Sequence, residues 1–194
     1  ISRPAHQGVT LAVRRTIQNV NMMNNEPSKT YQTFYDHVFG DYRYFHYNGL
    51  SEDMFNLEGS ERNKAEKIVL QAIRKISIDE RAIRAAGYLK LQEAIPVLEK
   101  KLTVPSIIVR QEVRSAIVWA LLKIKHDKQQ LGKLIEVVNK KAELNGLTRA
   151  DAVDLIADFG EEPLVVKTLL HAFLEEDLSV SASAHYALQK IFRV

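Results

Sequence analysis

The sequence predicts an all-α protein in which helix pairs stack into a right-handed α–α superhelix after an irregular N-terminal segment. Segments with one apolar spacing recur every 32 to 35 residues, and further amphipathic segments lie between them. The 194 residues include only 8 Gly and 5 Pro. Long helices joined by short turns need few of these residues, whereas a β-sandwich or barrel needs turn residues about every 8–12 positions.

Composition is that of one folded domain. Hydrophobic residues make up 46% of the chain and charged residues 26%, which are ordinary values for a globular protein. A domain of this size buries roughly 70% of the surface that its unfolded chain exposes. We expect residues 1–56 to form an aromatic-rich segment that caps the repeats, and residues 57–194 to form the helical repeats of one continuous domain.

The segment of residues 31–55 holds nine of the 15 aromatic residues. Two interpretations stay open. In one, Tyr42, Tyr44 and Tyr47 form a binding surface that stacks on a ligand. In the other, side chains such as Phe34 cover the apolar end of the array, because the terminal repeats of a stacked array need a cover.

A helix is predicted next, within residues 55–75. Ser60 is its expected N-cap. Apolar residues then recur at helical spacing, namely Ala65, Val69, Ala72, Ile73 and Ile76. This helix precedes the first full repeat.

Four segments align as the first helices of the repeats: Arg81–Leu91, Arg114–Ile124, Arg149–Phe159 and Ser181–Ile191. Positions four, seven, eight and eleven of each segment form one apolar stripe. Position seven is small in three of the four segments, where it is Gly87, Ala120 and Ala187. We therefore expect adjacent first helices to approach each other closely.

Second helices are predicted between the first helices, within residues 94–102, 131–138 and 166–173. The third has its apolar face at Val166, Leu169, Leu170 and Phe173. Pro96 and Pro163 fall in first turns, where a missing N–H costs no intrahelical bond. A unit of about 33 residues cannot bury two helices alone, so neighbouring units must stack.

The stretch RAIRAAGYLKLQEAIPVLEKKL, residues 81–102, resembles the short bacterial HEAT-like repeat that also occurs in phycobilisome-lyase-type proteins. Arg and Ala come early in that pattern, Gly or Ala-Leu in the middle, and Ala-Ile-Pro-x-Leu in the second helix. The stretch KHDKQQLGKLI lacks the Ala-Ile-Pro element. The resemblance implies a HEAT-like or armadillo-type solenoid, a scaffold whose activity it leaves undefined.

Charge is unevenly distributed along the chain. Residues 62–141 contain 18 Lys and Arg against 8 Asp and Glu, a net charge of +10, and residues 142–178 contain 2 against 9, a net charge of −7. The resemblance implies that second helices line the concave face, where a basic ridge is expected from Lys100, Lys101, Lys133, Lys140 and Lys141. Such a ridge suits an acidic protein surface or a phosphate backbone. The alternative is that these lysines only solvate outer helix faces.

Position six of the repeats carries Ala86, Trp119, Asp154 and Tyr186. Trp and Tyr are favoured anchors of protein interfaces, and HEAT-like alkylpurine DNA glycosylases place aromatic and acidic residues near a flipped base. Packing in the protein interior is the third interpretation of this row.

No catalytic residue, metal site or cofactor is predicted. Asp151, Asp154 and Asp158 share one helix face, which suits a weakly bound cation, a basic partner or simple solvation. The six His show no HxxxH or HExxH spacing, the chain has no Cys, and no nucleotide-binding or nucleophile motif is present.

The sequence thus favours a noncatalytic module that binds another protein, with toxin neutralisation (immunity) in a bacterium as a specialisation by analogy. The alternative is a nucleic-acid-binding protein related to alkylpurine DNA glycosylases, and a small-molecule enzyme is a third interpretation. No apolar stretch reaches the roughly 20 residues of a membrane span. A cytoplasmic location is expected, although Ile at position 1 leaves a removed signal peptide open.

Overall fold

The computed structural model describes residues 26–41, 50–75, 79–105 and 109–193. These residues form nine α-helices and two short 3-10 helices, and they contain no β-strand. The α-helices are α1 (Lys29–Phe39), α2 (Gly59–Ile73), α3 (Glu80–Tyr88), α4 (Ile95–Leu102), α5 (Gln111–Lys125), α6 (Lys128–Asn139), α7 (Gly146–Ala157), α8 (Pro163–Phe173) and α9 (Leu178–Phe192). The 3-10 helices are Glu52–Phe55 and Gln92–Ala94. The prediction of an all-α protein is confirmed for these residues.

From residue 59 onward the helices lie where the sequence predicts them, whereas α1 (Lys29–Phe39) is a regular helix in the N-terminal segment that was expected to be irregular. First helices α3, α5, α7 and α9 match the four aligned segments, and α4, α6 and α8 match the second helices. Pro96 and Pro163 occupy first turns, as expected. The predicted N-cap of α2 is wrong, because Glu58 takes that place. Gly59 has a φ of +53°, so the chain turns into the helix early and Ser60 falls inside its first turn.

First helices contact one another in chain order, α3 with α5, α5 with α7 and α7 with α9. Among the second helices, α6 contacts α5 and α7, α8 contacts α7 and α9, and α6 also contacts α8. One apolar core runs through these contacts. At its start, α1 packs on α3 and on the 3-10 helix Glu52–Phe55. No helix of the described ranges has the length and apolar character needed to cross a bilayer.

The close approach expected at position seven is confirmed between α3 and α5. A Cβ atom added to Gly87 would lie 3.1 Å from the Cα atom of Ala120, and 2.5 Å from Cζ3 of Trp119. Both Gly87 and Ala120 are seventh-position residues. Their lack of bulk therefore sets the distance between the two helices.

Arginine at position one of three repeats binds the end of a preceding helix. Arg81 Nη1 donates to the carbonyl of Gly40 at 2.9 Å, just after α1. Arg114 donates to the carbonyls of Leu102 and Val104, at the end of α4. Arg149 Nε donates to the carbonyl of Val138 at 2.7 Å, near the end of α6. Helix C-termini carry unpaired carbonyls and partial negative charge. Each arginine donates hydrogen bonds to such carbonyls, and its positive charge offsets the partial negative charge.

The third of these arginines is also part of a buried ion pair. Arg149 Nη2 lies 2.5 Å from Oε2 of Glu175, and the two side chains are only 4% and 7% exposed. Lys141 approaches the other carboxylate oxygen of Glu175 at 3.1 Å. The pair ties α7 to the turn between α8 and α9.

Gly87→Ala should lower the free energy of unfolding by about 1–3 kcal/mol, since the new methyl group overpacks against the Trp119 ring and the α5 backbone. This loss outweighs the gain in helix propensity of up to about 1 kcal/mol. Gly132→Ala is the matched control, because its Cβ meets no atom within 4 Å and should stabilise α6. Urea denaturation measures both changes. Equal effects at the two positions would contradict the close packing.

Arg149→Met should lower the free energy of unfolding by about 3 kcal/mol, because it leaves the Glu175 carboxylate buried with only Lys141 beside it. Lys128→Met breaks the exposed pair with Glu162 and should cost under about 1 kcal/mol. Thermal and chemical denaturation at neutral pH compare the two variants. A loss below about 1 kcal/mol for Arg149→Met would show that this pair does not hold the turn.

Candidate functional sites

A cleft of about 500 Å³ opens between the 3-10 helix Glu52–Phe55, the ends of α3 and α5, the turn after α7, and α9. Beside it lies a group of side chains that we call the aromatic–acid cluster, formed by Tyr88, Trp119, Lys123 and Asp158. Tyr88 and Trp119 meet edge to face with ring centroids 4.9 Å apart.

Asp158 is the acceptor at the centre of this cluster. Its Oδ2 accepts from the indole Nε1 of Trp119 at 3.2 Å, and its Oδ1 accepts from Nζ of Lys190 at 3.1 Å. Lys123 Nζ lies 3.8 Å from Asp158 and 3.1 Å from Glu52. The same nitrogen lies 5.4–5.7 Å from three aromatic ring centroids, a distance suited to cation–π attraction.

The side chains of the aromatic–acid cluster contact one another and connect neighbouring helices. Trp119 is 1% exposed, and its ring has no free face on which a base or ligand could stack. Burial raises the pKa of the Tyr88 hydroxyl, and the negative charge of Asp158 raises it further, so Tyr88 stays protonated near neutral pH. The carboxylate of Asp158 already has Trp119, Lys123 and Lys190 as partners.

The position-six row is split by the structure. Trp119 is inside and bonds to Asp158, whereas Asp154 keeps contact with solvent and Tyr186 is 70% exposed. Loss of part of its hydration raises the pKa of the Asp154 carboxyl, and the positive charge of Arg84 partly opposes this rise. Tyr186 lies beside His185 with ring centroids 5.9 Å apart. Of the four residues in this row, Asp154 and Tyr186 have side chains that are available to a partner.

The three aspartates of α7 and the turn after it have different surroundings. Burial raises the pKa of the Asp151 carboxyl to about 6, and repulsion from Glu80 adds to the shift while Arg84 opposes it. Asp158 belongs to the aromatic–acid cluster. Among the described residues no three His, Cys, Asp or Glu side chains converge in a way that could hold a metal ion.

A second depression, of about 330 Å³, lies between the end of α4, the first half of α5, and α6. We call it the basic groove. Its polar lining consists of Gln111, Arg114, Ser115, Lys133, Glu136 and Lys140. The three cationic side chains outnumber the one carboxylate, and the Ser115 hydroxyl is buried at its wall.

The five lysines expected to form a ridge do not act alike. Lys133 and Lys140 line the basic groove. Lys101 Nζ instead donates to the carbonyl of Lys75 at 2.8 Å, behind the end of α2, and burial lowers the pKa of its amine. Lys141 pairs with Glu175, and Lys100 is exposed outside the groove.

The aromatic segment is described only in part. Tyr42, Tyr44 and Tyr47 lie outside the described residues, so their predicted binding role is not tested. Phe34 is fully buried, with its ring centroid 5.7 Å from that of Phe55. Phe55 in turn stacks on Tyr88 at 4.7 Å. This part of the segment belongs to the core.

A third feature is an apolar surface on the last helix pair, which sequence reasoning missed. Eight of the nine large hydrophobic residues exposed in the described chain lie from Leu147 onward. We define the apolar surface by the members nearest the α8–α9 turn, namely Leu170, Phe173, Leu174, Leu178 and Tyr186. Leu174 and Leu178 are 80% and 82% exposed, and the Phe173 ring centroid lies 5.7 Å from that of His185.

The predicted apolar face of α8 is wrong in register. Leu170 and Phe173 were expected inside, but Val165, Leu169 and Ala172 are the buried apolar residues. Only Lys167, Thr168 and His171 of α8 are polar, so its apolar face is wider than one packing surface and the spacing fits more than one register. That unusual hydrophobicity is the sequence feature that could have pointed to an exposed apolar face.

Comparisons of the chain with protein-family models, with curated proteins and with solved structures find no match in any of the three.

Asp151→Asn should stabilise the protein at pH 7–8 and lose this effect near pH 4. Because its pKa of about 6 lies above the ordinary value of 3.8, the folded state binds more protons than the unfolded state between these values. The carboxyl therefore costs stability as the pH rises through about 6. We expect a gain on the order of 1–2 kcal/mol at pH 7, allowing for solvent screening of a half-buried group.

Melting temperatures between pH 4 and pH 8 test this expectation. Glu176→Gln removes the same charge from an exposed turn and controls for the general change in net charge. A gain for Asp151→Asn that is constant over this range would contradict the burial of the carboxyl.

Proposed function

We propose that this chain is a noncatalytic protein-binding module, a short HEAT-like solenoid that holds a partner protein through the apolar surface of α8 and α9. The observation that carries the proposal is the concentration of exposed large apolar side chains at this one end. Contiguous exposed apolar patches on a folded protein commonly mark interaction sites.

The solenoid part of the proposal is supported by the order of helix contacts. First helices touch in chain order, and α6 and α8 each touch the first helix on either side. Three of four repeats also use the same arginine at position one for the same kind of bond. Repetition of one contact at a period of about 33 residues is typical of stacked helical repeats.

The surroundings of the apolar surface define the chemistry of its partner. Glu176 lies between Leu174 and Leu178 in the chain, is exposed, and makes no ion pair with the residues described around it. The C-terminus of α8, with its partial negative charge, ends at Phe173 beside it. The partner should therefore present apolar side chains flanked by Lys or Arg. A bacterial toxin-neutralising role remains a specialisation of this proposal, and the cytoplasm its expected compartment.

The combined change Leu174→Glu and Leu178→Glu should abolish capture of the partner, because it places two charges in the centre of the apolar surface. Leu164→Glu is the matched control, since Leu164 is an exposed leucine at the opposite end of α8. Folded parent and variant proteins are used as bait in host extract, and the captured protein is then purified and titrated directly.

We expect one stoichiometric partner that binds the parent and Leu164→Glu equally and binds the double variant at least about 100-fold more weakly. Equal binding by all three proteins, or no stoichiometric partner for the folded parent, would contradict the proposal. Self-association of the parent that the double variant loses would replace the partner with a second copy of this chain.

Nucleic-acid binding, with or without base excision, is the second candidate, and the basic groove is the feature in its favour. The burial of Trp119 speaks against stacking of a flipped base on that ring. If the leading proposal is correct, DNA and RNA should show no retardation in gels at about 50 mM salt, where phosphate contacts are strongest. A shift that disappears as salt is raised would support the second candidate instead.

A further inference from the structure

We propose that the basic groove between α4, α5 and α6 is a binding site for a phosphate monoester, with Ser115, Lys133 and Lys140 as its donors. The proposal concerns helices other than those of the apolar surface and does not depend on the proposed function.

The first observation is an unpartnered buried hydroxyl. Ser115 is 2% exposed, and its Oγ is the one buried side-chain polar atom of the described residues that has no hydrogen-bond partner. Leaving such a group unpaired costs about 1–3 kcal/mol, and native proteins contain few of them. Ser115 is among the residues that line the groove, and a bond to a ligand oxygen requires this buried hydroxyl to turn toward the groove.

The second observation is positive charge without local compensation. Arg114 donates only to backbone carbonyls among its described hydrogen bonds, and Lys133 donates to the side-chain oxygen of Gln130 at 3.2 Å. Neither forms an ion pair with a carboxylate within the described chain. Lys140 has Glu143 at 3.2 Å, and both side chains of that pair are about half exposed. A nearby anion can draw Lys140 away from such a pair at small cost.

The third observation is the start of α5. Its N-cap is Arg110, which makes no side-chain capping bond, and Gln111 of the first turn lines the groove. The start of this 15-residue helix, which carries partial positive charge, therefore lies at the groove. The hydroxyl, the cationic side chains and the helix start all favour an anion at the same place.

Charge and size favour a monoester over other anions. The lining carries three cationic side chains and the single carboxylate of Glu136, an excess that matches the nearly two negative charges of a phosphate monoester at neutral pH. A volume of about 330 Å³ is at the small end of ligand pockets and holds a phosphoryl group with a few attached atoms. A nucleic-acid backbone would need cationic side chains repeated along a longer path.

The test is a titration of the folded full chain with inorganic phosphate, glycerol 3-phosphate, a phosphoserine peptide and a single-stranded oligonucleotide, at low ionic strength. Glycerol and the unphosphorylated peptide are the matched controls. Backbone NMR signals of residues 111–115 and 133–140 report binding in the groove, and calorimetry gives the affinity.

We expect saturable shifts of these signals with the phosphate monoesters and none with their uncharged controls. Ser115→Ala and Lys133→Met should each weaken binding about tenfold, whereas Lys100→Met, outside the groove, should leave it unchanged. Ser115→Ala should not lower the melting temperature, because it removes an unpaired hydroxyl. Tighter binding of the peptide than of glycerol 3-phosphate would identify a phosphorylated side chain as the source, and the reverse a small metabolite.

Absence of saturable binding by any monoester would overturn the proposal. Equal weakening by Lys100→Met would overturn it too, since general surface charge would then explain the binding. Binding of the oligonucleotide but of no monoester would replace this site with a nucleic-acid surface. The double variant of Leu174 and Leu178 should bind phosphate like the parent, which separates this proposal from the apolar partner surface.

Discussion

The bond from an arginine at the start of one helix to the carbonyls at the end of an earlier helix is the contact that three of the four repeats share. Arg81, Arg114 and Arg149 each make it. A guanidinium group stays charged and offers several donors, so it can satisfy carbonyls that a helix end leaves unpaired. Both proposed binding surfaces lie beside these bonds. Arg114 forms part of the basic groove, and Arg149 holds Glu175 in the turn that carries the apolar surface.

Part of the charge asymmetry of the chain is used inside the molecule. Basic residues before position 142 pair with acidic residues after it, in the pairs Lys123–Asp158, Lys128–Glu162, Lys140–Glu143 and Lys141–Glu175. The basic stretch of residues 62–141 and the acidic stretch of residues 142–178 thus attract each other, and both can also attract external partners. Side chains outside these pairs, such as Lys133 and Glu176, give the surface a charge that a partner meets uncompensated.

Local patterns in the sequence were enough to predict the helices from α2 onward and their order of contact, but they did not predict α1. Apolar side chains three and four positions apart define a helix face whatever the helix packs against. Small side chains at position seven predicted a close approach because bulk there would separate any two helices, and Gly87 and Ala120 meet as expected. The prolines of α4 and α8 were also placed correctly, since the lack of an N–H is a property of the residue alone.

Which side chains remain available was decided by tertiary structure. The sequence put Trp119 in a row with Asp154, but the neighbouring helices bury Trp119 and bring Asp158 to its indole. In α8 the apolar face is wider than one packing surface, and only packing against α7 and α9 determined that Leu170 is exposed. The amino-acid sequence by itself therefore determined the helices and their period, because these follow from local geometry. Exposure and partnership depend on residues distant in the chain, and they arose only when the helices packed.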